Sequence, residues 1–523
     1  MKNSQLASDM PIAANAPAAV GISDHHLRST AKGGSLVFFG KLFNKGVRLG
    51  VAILMARFLA AEQFGIYSLG LTVTEIVAAL GGLGLGTALV RYIPAMRRRS
   101  DQAGIWGTLQ LGIGIPAVMS IILAIALFAL ADPIAQHILH DSRMASPLRL
   151  MSFFIPFYTW TDMVAAATRG FRNMKFTVVS QLVTQPLVKL SIIGVFVILG
   201  LNATRALTAA GISQVVTAAL LLYFLSRQFP LNLPLREARR EPKEMLRFSL
   251  PVYLSGILNT FGEQLQVLIV AGFTNVYGAG VYALAQHATR FGELFQRAVT
   301  MSAQPIFSEL FSENKREELA RLYQATTRWT FSLNLPLFLI LILLPSSVLA
   351  VFGNSYAGGV VVLVILAWRC AIGTATGMCS SILDMTGYTA LKLVNSVIRV
   401  AVSLGLGLWL IPKWGIVGGA AAALIADATD GLLRLVEIYI LHRMLPFDRT
   451  FLKPIAAALA SVAVVFLLGQ WLPTHPPSLY AAIQMTMLFS VYFGMNLVLG
   501  LPPEELKMLA YVRQRASMVF ARS

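Results

Sequence analysis

Apolar stretches of about twenty residues recur from residue 35 to residue 501, separated by short polar and basic segments, and each is long enough to cross a bilayer as an α-helix. They fall at 35–58, 65–92, 103–131, 147–168, 176–200, 203–226, 247–272, 279–307, 323–351, 357–385, 389–411, 415–441, 453–471 and 479–501. The pattern predicts an all-α polytopic membrane protein of about fourteen transmembrane helices. Residues 1–32, rich in Ala, Ser, Asn and Pro and without a hydrophobic run, read as a mobile cytoplasmic tail rather than a cleaved signal peptide. Residues 502–523 read as a second cytoplasmic tail.

The basic residues orient the chain. Both termini and alternate loops, including Arg97-Arg98-Arg99, Arg169 to Lys175, Arg227 to Arg247, Lys315 to Arg321 and Arg443 to Lys453, hold about 26 Lys and Arg, against about three in the intervening loops, Arg143, Arg205 and Lys413. That bias predicts both termini in the cytoplasm.

The chain also resembles itself at an offset of about 215 residues. Gly65-Ile66-Tyr67-Ser68-Leu69 opens the second span, and Gly280-Val281-Tyr282-Ala283-Leu284 opens the eighth. After the fourth span comes Gly170-Phe171-Arg172-Asn173-Met174-Lys175, and after the tenth comes Gly387-Tyr388-Thr389-Ala390-Leu391-Lys392. Matches at equivalent helix ends predict two pseudo-symmetric six-helix lobes of like orientation, 33–226 and 248–441. A cytoplasmic linker, 227–247, joins them, and the last two spans, within 442–501, form an appendage.

Composition agrees with the hydropathy pattern. The 523-residue chain is 56% hydrophobic and 13% charged, far more apolar than a soluble core needs. Its net charge of +18 resides mainly in the loops, so membrane topology explains it and nucleic-acid binding does not. Cys370 and Cys379 lie roughly 13 Å apart along one predicted helix, too far to bridge.

The informative residues are charges inside the apolar runs. Lys41, Lys45 and Arg48 share one face of the first span, at spacings of four and three residues. A charge at bilayer depth costs at least about 2.5 kcal/mol, so three aligned cations imply a wet, protein-lined interior that receives an anion. For Lys41, and less easily for Lys45, snorkelling toward headgroups is the alternative. The repeat offset sets Arg48 opposite Glu263 and Glu75 opposite Arg290, as expected for pairs that close a cavity between lobes. Glu293 and Arg297 continue the face of Arg290. Glu75, Glu263 and Glu293 are the candidate gating carboxylates, with purely structural ion pairing as the competing reading.

A second group, Asp427, Asp430, Arg434 and Glu437, shares one face of the twelfth span, with Asp384, Arg399, Arg369 and Lys189 on neighbouring spans. Structural pairing is favoured there, and a proton or sodium site at Asp427 and Asp430 is the alternative. His137, His140 and Asp141 have a metal-like spacing in an outer loop but no further ligands. His287 either titrates in the cavity or packs as a hydrogen-bonded residue.

No GxxxxGK[ST] phosphate-binding loop occurs, and the longest outer loop, Ala131 to Pro147, has no catalytic constellation, so an enzyme is not expected. A drug or cation exporter needs anionic binding residues, whereas this cavity leans cationic. A sugar chain on a lipid pyrophosphate fits better, because its phosphates suit Lys and Arg.

The run from Ala56 to Leu69 (ARFLAAEQFGIYSL), the stretch from Gly82 to Arg91 (GLGLGTALVR) and the segment from Ile411 to Ala420 (IPKWGIVGGA) resemble the polysaccharide transporter branch of the multidrug, oligosaccharidyl-lipid and polysaccharide exporter superfamily. The resemblance implies two six-helix lobes around a central cavity, alternating access, and no cofactor. It implies a polyprenyl-pyrophosphate oligosaccharide moved across a bacterial inner membrane, with Lys41, Lys45, Arg48, Arg290 and Arg297 as substrate-binding residues. The last two helices would take the lipid tail. Implied partners are membrane lipids, a polysaccharide polymerase and glycosyltransferases. A cation-coupled small-molecule exporter and a non-transporting subunit of a synthesis complex are the alternatives.

Overall fold

The computed structural model describes residues 24–171, 173–230, 232–234, 238–240, 242–290, 293–469 and 477–500. Among them the chain is helical, with no strand: α1 (Asp24–Phe58), α2 (Ala61–Gly81), α3 (Leu85–Arg98), α4 (Gln102–Ala129), α5 (Ala145–Gly170), α6 (Gln185–Ile198), α7 (Ala203–Ser226), α8 (Pro242–Phe273), α9 (Val276–Thr289), α10 (Glu293–Ser312), α11 (Arg316–Leu343), α12 (Val360–Met385), α13 (Thr389–His442), α14 (Leu452–Gly469) and α15 (Pro477–Val498). Nine helical stretches among the described residues are long and apolar enough to cross a membrane. Short polar residues start several of them. Asp101, Asn202 and Asn275 each accept a hydrogen bond from a backbone N–H three residues on, satisfying a donor that a helix start leaves open.

Several boundaries differ from the hydropathy pattern. Helix α1 begins at Asp24, inside the expected tail 1–32, while residues 1–23 and 501–523 lie outside the described residues. The apolar run 65–92 divides into α2 and α3 at Gly82-Leu83-Gly84, where Leu83 (φ 47°) and Gly84 (φ 67°) turn left-handed. A side chain at Gly84 would stand 2.6 Å from Tyr253 Cβ, so the break lets α8 approach closely. The run 279–307 likewise divides into α9 and α10 beyond Thr289. Within α13 the two expected spans, 389–411 and 415–441, appear as two helical limbs that meet at Gly415, whose backbone leaves the helical range (φ 55°, ψ −134°). There the chain doubles back: a Cβ at Gly418 would overlap the Leu410 carbonyl, which a straight helix would hold about 12 Å away.

The helices form two bundles. In the first half α5 packs on α2, α4 and α7, and in the second α12 packs on α11 and α13. Helices α14 and α15 pair with each other and lean on α11 through Leu335, Ala457 and Tyr492. The halves meet where α2 crosses α9. A Cβ at Gly65 would overlap the Val276 carbonyl, and one at Gly280 would overlap that of Ala61. Val276 and Gly280 are the repeat equivalents of Ala61 and Gly65, so this contact is reciprocal, as a two-fold relation between the halves requires. Nearby, Tyr356 donates to the Leu59 carbonyl (3.2 Å) and Arg57 Nε to that of Val351 (2.9 Å). These contacts close the halves together at the end opposite the basic loops.

Candidate functional site

Charged side chains from both halves gather between α1, α2, α6 and α9. Lys45 Nζ on α1 donates to the carbonyl of Arg290 (3.0 Å), the residue that caps the C-terminal end of α9. A cation there complements the negative end of the helix dipole. Glu75 on α2 accepts a hydrogen bond from Gln264 Nε2 on α8 (2.8 Å), and the charges of Arg48, Arg290 and Lys189 all act on it. Its direct contact across the interface is therefore with Gln264 rather than an ion pair with Arg290. The charge of Arg48 also acts on Tyr158 of α5 and His287 of α9, one residue from each half. The side chains of Glu263, Glu293 and Arg297 lie outside the described residues.

Two members of this cluster escaped the sequence reading. Lys189, grouped there with Asp427, instead points from α6 to Tyr67 on α2, with Nζ 2.5 Å from the phenol oxygen and 5.2 Å from the ring centroid. Asp162 on α5 is exposed and lies within the charge field of Glu75 and Arg169. It is the sole carboxylate of the run 147–168, and that was the available signal. Arg48, Lys189 and Arg290 thus act together on Glu75, Lys45 joins them through the Arg290 carbonyl, and Asp162 lies near Glu75 with Arg169 as its cationic neighbour. His287 packs edge-on to Phe64 among the same cations.

Farther into the second half, a cavity of about 720 Å³ opens between α9, α10, α12 and α13, with Lys41 of α1 on its wall. Its described lining carries six cations, Lys41, Arg290, Arg369, Lys392, Arg399 and Arg434, against three carboxylates, Asp384, Asp427 and Asp430. Asp427 takes Arg369 Nε on one oxygen (2.5 Å) and Arg399 Nη1 near the other (3.5 Å). Asp430 pairs with Arg434 (2.7 Å), and Asp384 with Lys392 (2.7 Å). Both Asp427 oxygens are committed to guanidinium groups, an arrangement that competes with a coordinated cation. Among the described residues no set of three His, Cys, Asp or Glu side chains is placed to hold a metal ion.

In the loop that follows α4, Asp141 turns to Arg143 instead of to His137 or His140. It accepts from the Arg143 backbone N–H (2.9 Å) and guanidinium (2.8 Å), which holds its carboxyl below the usual Asp range. Arg143 also reaches Glu62 (3.0 Å).

The profile of the polysaccharide biosynthesis protein family matches residues 30–311, more than half of the chain. The chain belongs to this family. With nine described helical stretches long and apolar enough to cross a bilayer, this polysaccharide biosynthesis protein is a multi-pass membrane protein. It is 24% identical over 364 residues to the succinoglycan biosynthesis transport protein ExoT of Rhizobium meliloti, covering 69% of this chain and 70% of that protein. It is also 24% identical over 195 residues to Agl15, a probable low-salt glycan biosynthesis flippase of Haloferax volcanii, covering 37% and 41% of the two chains. In fold it is similar to the lipid II flippase MurJ in an inward closed conformation, with a TM-score of 0.71 over 90% of this chain and 98% of MurJ at 13% identity. An inward-facing multidrug transporter of the MATE family gives a TM-score of 0.65 over 77% of this chain and 94% of that one, at 16% identity.

Proposed function

We propose that this protein moves a polyprenyl-pyrophosphate-linked oligosaccharide across the bacterial inner membrane by alternating access. The observation that carries the reading is the convergence of cations from both halves on one polar space, marked by Lys45 of α1 reaching the end of α9 at Arg290. A pyrophosphate entering there replaces weak internal contacts with charge-assisted hydrogen bonds, to which Lys and Arg are suited. Lys41, Lys45, Arg48 and Arg290 form this set, extended by Lys189, and Arg297 belongs to it by sequence position. Glu75 balances these cations when no substrate is bound, and Glu263 and Glu293 are assigned the same role by sequence position alone. The halves, 33–226 and 248–441, then rock about the α2–α9 crossing.

Both termini lie in the cytoplasm in this account, and fourteen spans are assigned by counting each limb of α13 and each broken pair, α2–α3 and α9–α10, as crossings. Helices α14 and α15 offer the lipid tail a surface, and glycosyltransferases and a polymerase act before and after. An inside-negative potential favours outward movement of the anion, by about 2.3 kcal/mol per charge per 100 mV for a full crossing.

The test is Arg48→Ala and Arg290→Ala in a strain lacking the native copy. Each variant is expected to abolish surface polysaccharide while reaching the membrane at the wild-type level. Wild-type polymer in both would remove the proposed role. Drug sensitivity of the deletion strain with intact polysaccharide would indicate an exporter of small molecules instead.

A further inference from the structure

The cavity of the second half has a charge pattern that the pyrophosphate reading does not use. Arg369 comes from α12 and Arg399 from the first limb of α13, and both converge on one carboxylate, Asp427 of the second limb. Two guanidinium groups on one carboxylate leave one positive charge over. The looser partner is Arg399, at 3.5 Å, beyond a good hydrogen bond. Its side chain is 15% exposed and lies on the cavity wall.

A few ångströms along the same helix, Asp430 is 6% exposed, and its Oδ1 has no hydrogen-bond partner. The Nε of Arg434, its ion-pair partner, is likewise unpaired. A buried acceptor and a buried donor left open side by side are costly unless a ligand or water fills them. A hydroxyl group satisfies both kinds, since it donates to one and accepts from the other. The remaining wall adds neutral groups of that sort, with Gln286, Gln296, Gln304 and Ser380 facing the same space. The cavity's 720 Å³ matches a site for a small organic molecule rather than a bare ion.

We infer that this cavity is a subsite for a carboxylate-bearing sugar, whose carboxylate takes the fork of Arg399 and whose hydroxyls take Asp430 Oδ1 and Arg434 Nε. Asp427 serves as the internal stand-in for the ligand's carboxylate. It holds the two guanidinium groups in place while the site is empty and shares them when the site is filled. The planar guanidinium fork matches a carboxylate in two-point contact, which makes Arg rather than Lys the residue for this position. This inference rests on the flippase reading for the identity of the glycan, but its chemistry is confined to the second half.

Purified protein in lipid nanodiscs, titrated with a glucuronate-containing tetrasaccharide and with its carboxyl-reduced counterpart, tests it by calorimetry. The wild type is expected to bind the acidic glycan about tenfold more tightly than the reduced one. Arg399→Gln should bring that ratio close to one, and Arg399→Lys, which keeps the charge and loses the fork, should fall between. Arg143→Ala should leave the ratio unchanged, because Arg143 is exposed, pairs with Glu62 and Asp141, and lines neither charged region. Equal binding of the two glycans by the wild type overturns the inference, as does an unchanged ratio in a monodisperse Arg399→Gln protein. Discrimination by the wild type together with normal export by Arg48→Ala cells would instead overturn the pyrophosphate role and leave this subsite standing.

Discussion

Arg48 and Lys189 show how far single residues can be read without a fold. Arg48 announced itself by its spacing from Lys41 and Lys45, because three cations on one face of an apolar helix have no cheap alternative to a wet interior. Lys189 gave no such signal, since its partner Tyr67 is 122 residues away and only the fold brings the two side chains together. Lys189→Met is therefore expected to lower polysaccharide export by at least about tenfold, with Lys189→Arg retaining most of it, as measured by polymer yield at equal protein level. The same distance explains why Glu75 was matched to Arg290 by repeat position, whereas its hydrogen bond comes from Gln264. In the loop that follows α4, Asp141 makes a prediction in pH. Its carboxyl titrates lower in the folded protein than in the unfolded chain, so its stabilising effect is present above about pH 4 and fades as pH falls through the lowered value. Asp141→Asn should cost up to about 1 kcal/mol at pH 7, given the exposure of Arg143. The gap in melting temperature from wild type should close toward pH 3, and a gap independent of pH would contradict this.

Among the elements, the crossing of α2 and α9 carries the most information. The Gly65 and Gly280 motifs were legible as a repeat, yet nothing in either motif said that the two copies touch. Their reciprocal contact follows from the two-fold relation between halves, with each glycine under the backbone of the other helix. Gly65→Val or Gly280→Val forces the helices apart at the closed end. Overpacking of this kind costs about 1–3 kcal/mol, so each variant should shift the halves toward the state open at that end. Distance measurements between spin labels on α2 and α9 would show the change, and unaltered distances would deny the crossing its role as a pivot. Helix breaks were the least legible feature. An apolar run looks continuous across Gly82-Leu83-Gly84, because hydropathy registers Leu and Gly as membrane-compatible while the backbone turns left-handed. Gly415 is the converse case, where a dihedral open to glycine alone makes the reversal between two limbs that the hydropathy pattern already divides. Gly415→Ala should destabilise the protein by about 1–3 kcal/mol and lower its melting temperature in detergent.

At the scale of the whole molecule, fold class and the two-fold repeat were legible because the bilayer imposes helix length and because equivalent helix ends keep their turn residues. The division of labour between two charged regions was not. Sequence grouped Lys189 with Asp427, whereas the structure puts Lys189 in a cluster between the halves and Asp427 in a cavity of the second half, with Arg290 shared by both and Lys41 on the wall of the cavity. A substrate with a phosphate end and a sugar end suits two such regions, one for each end. The central claim is that cations between the halves carry the anion from one leaflet to the other. Its most direct test is the leaflet distribution of the lipid-linked oligosaccharide in cells producing the Arg48→Ala/Arg290→Ala double variant. The account predicts accumulation on the cytoplasmic leaflet with normal membrane levels of the protein, and a wild-type distribution would contradict it.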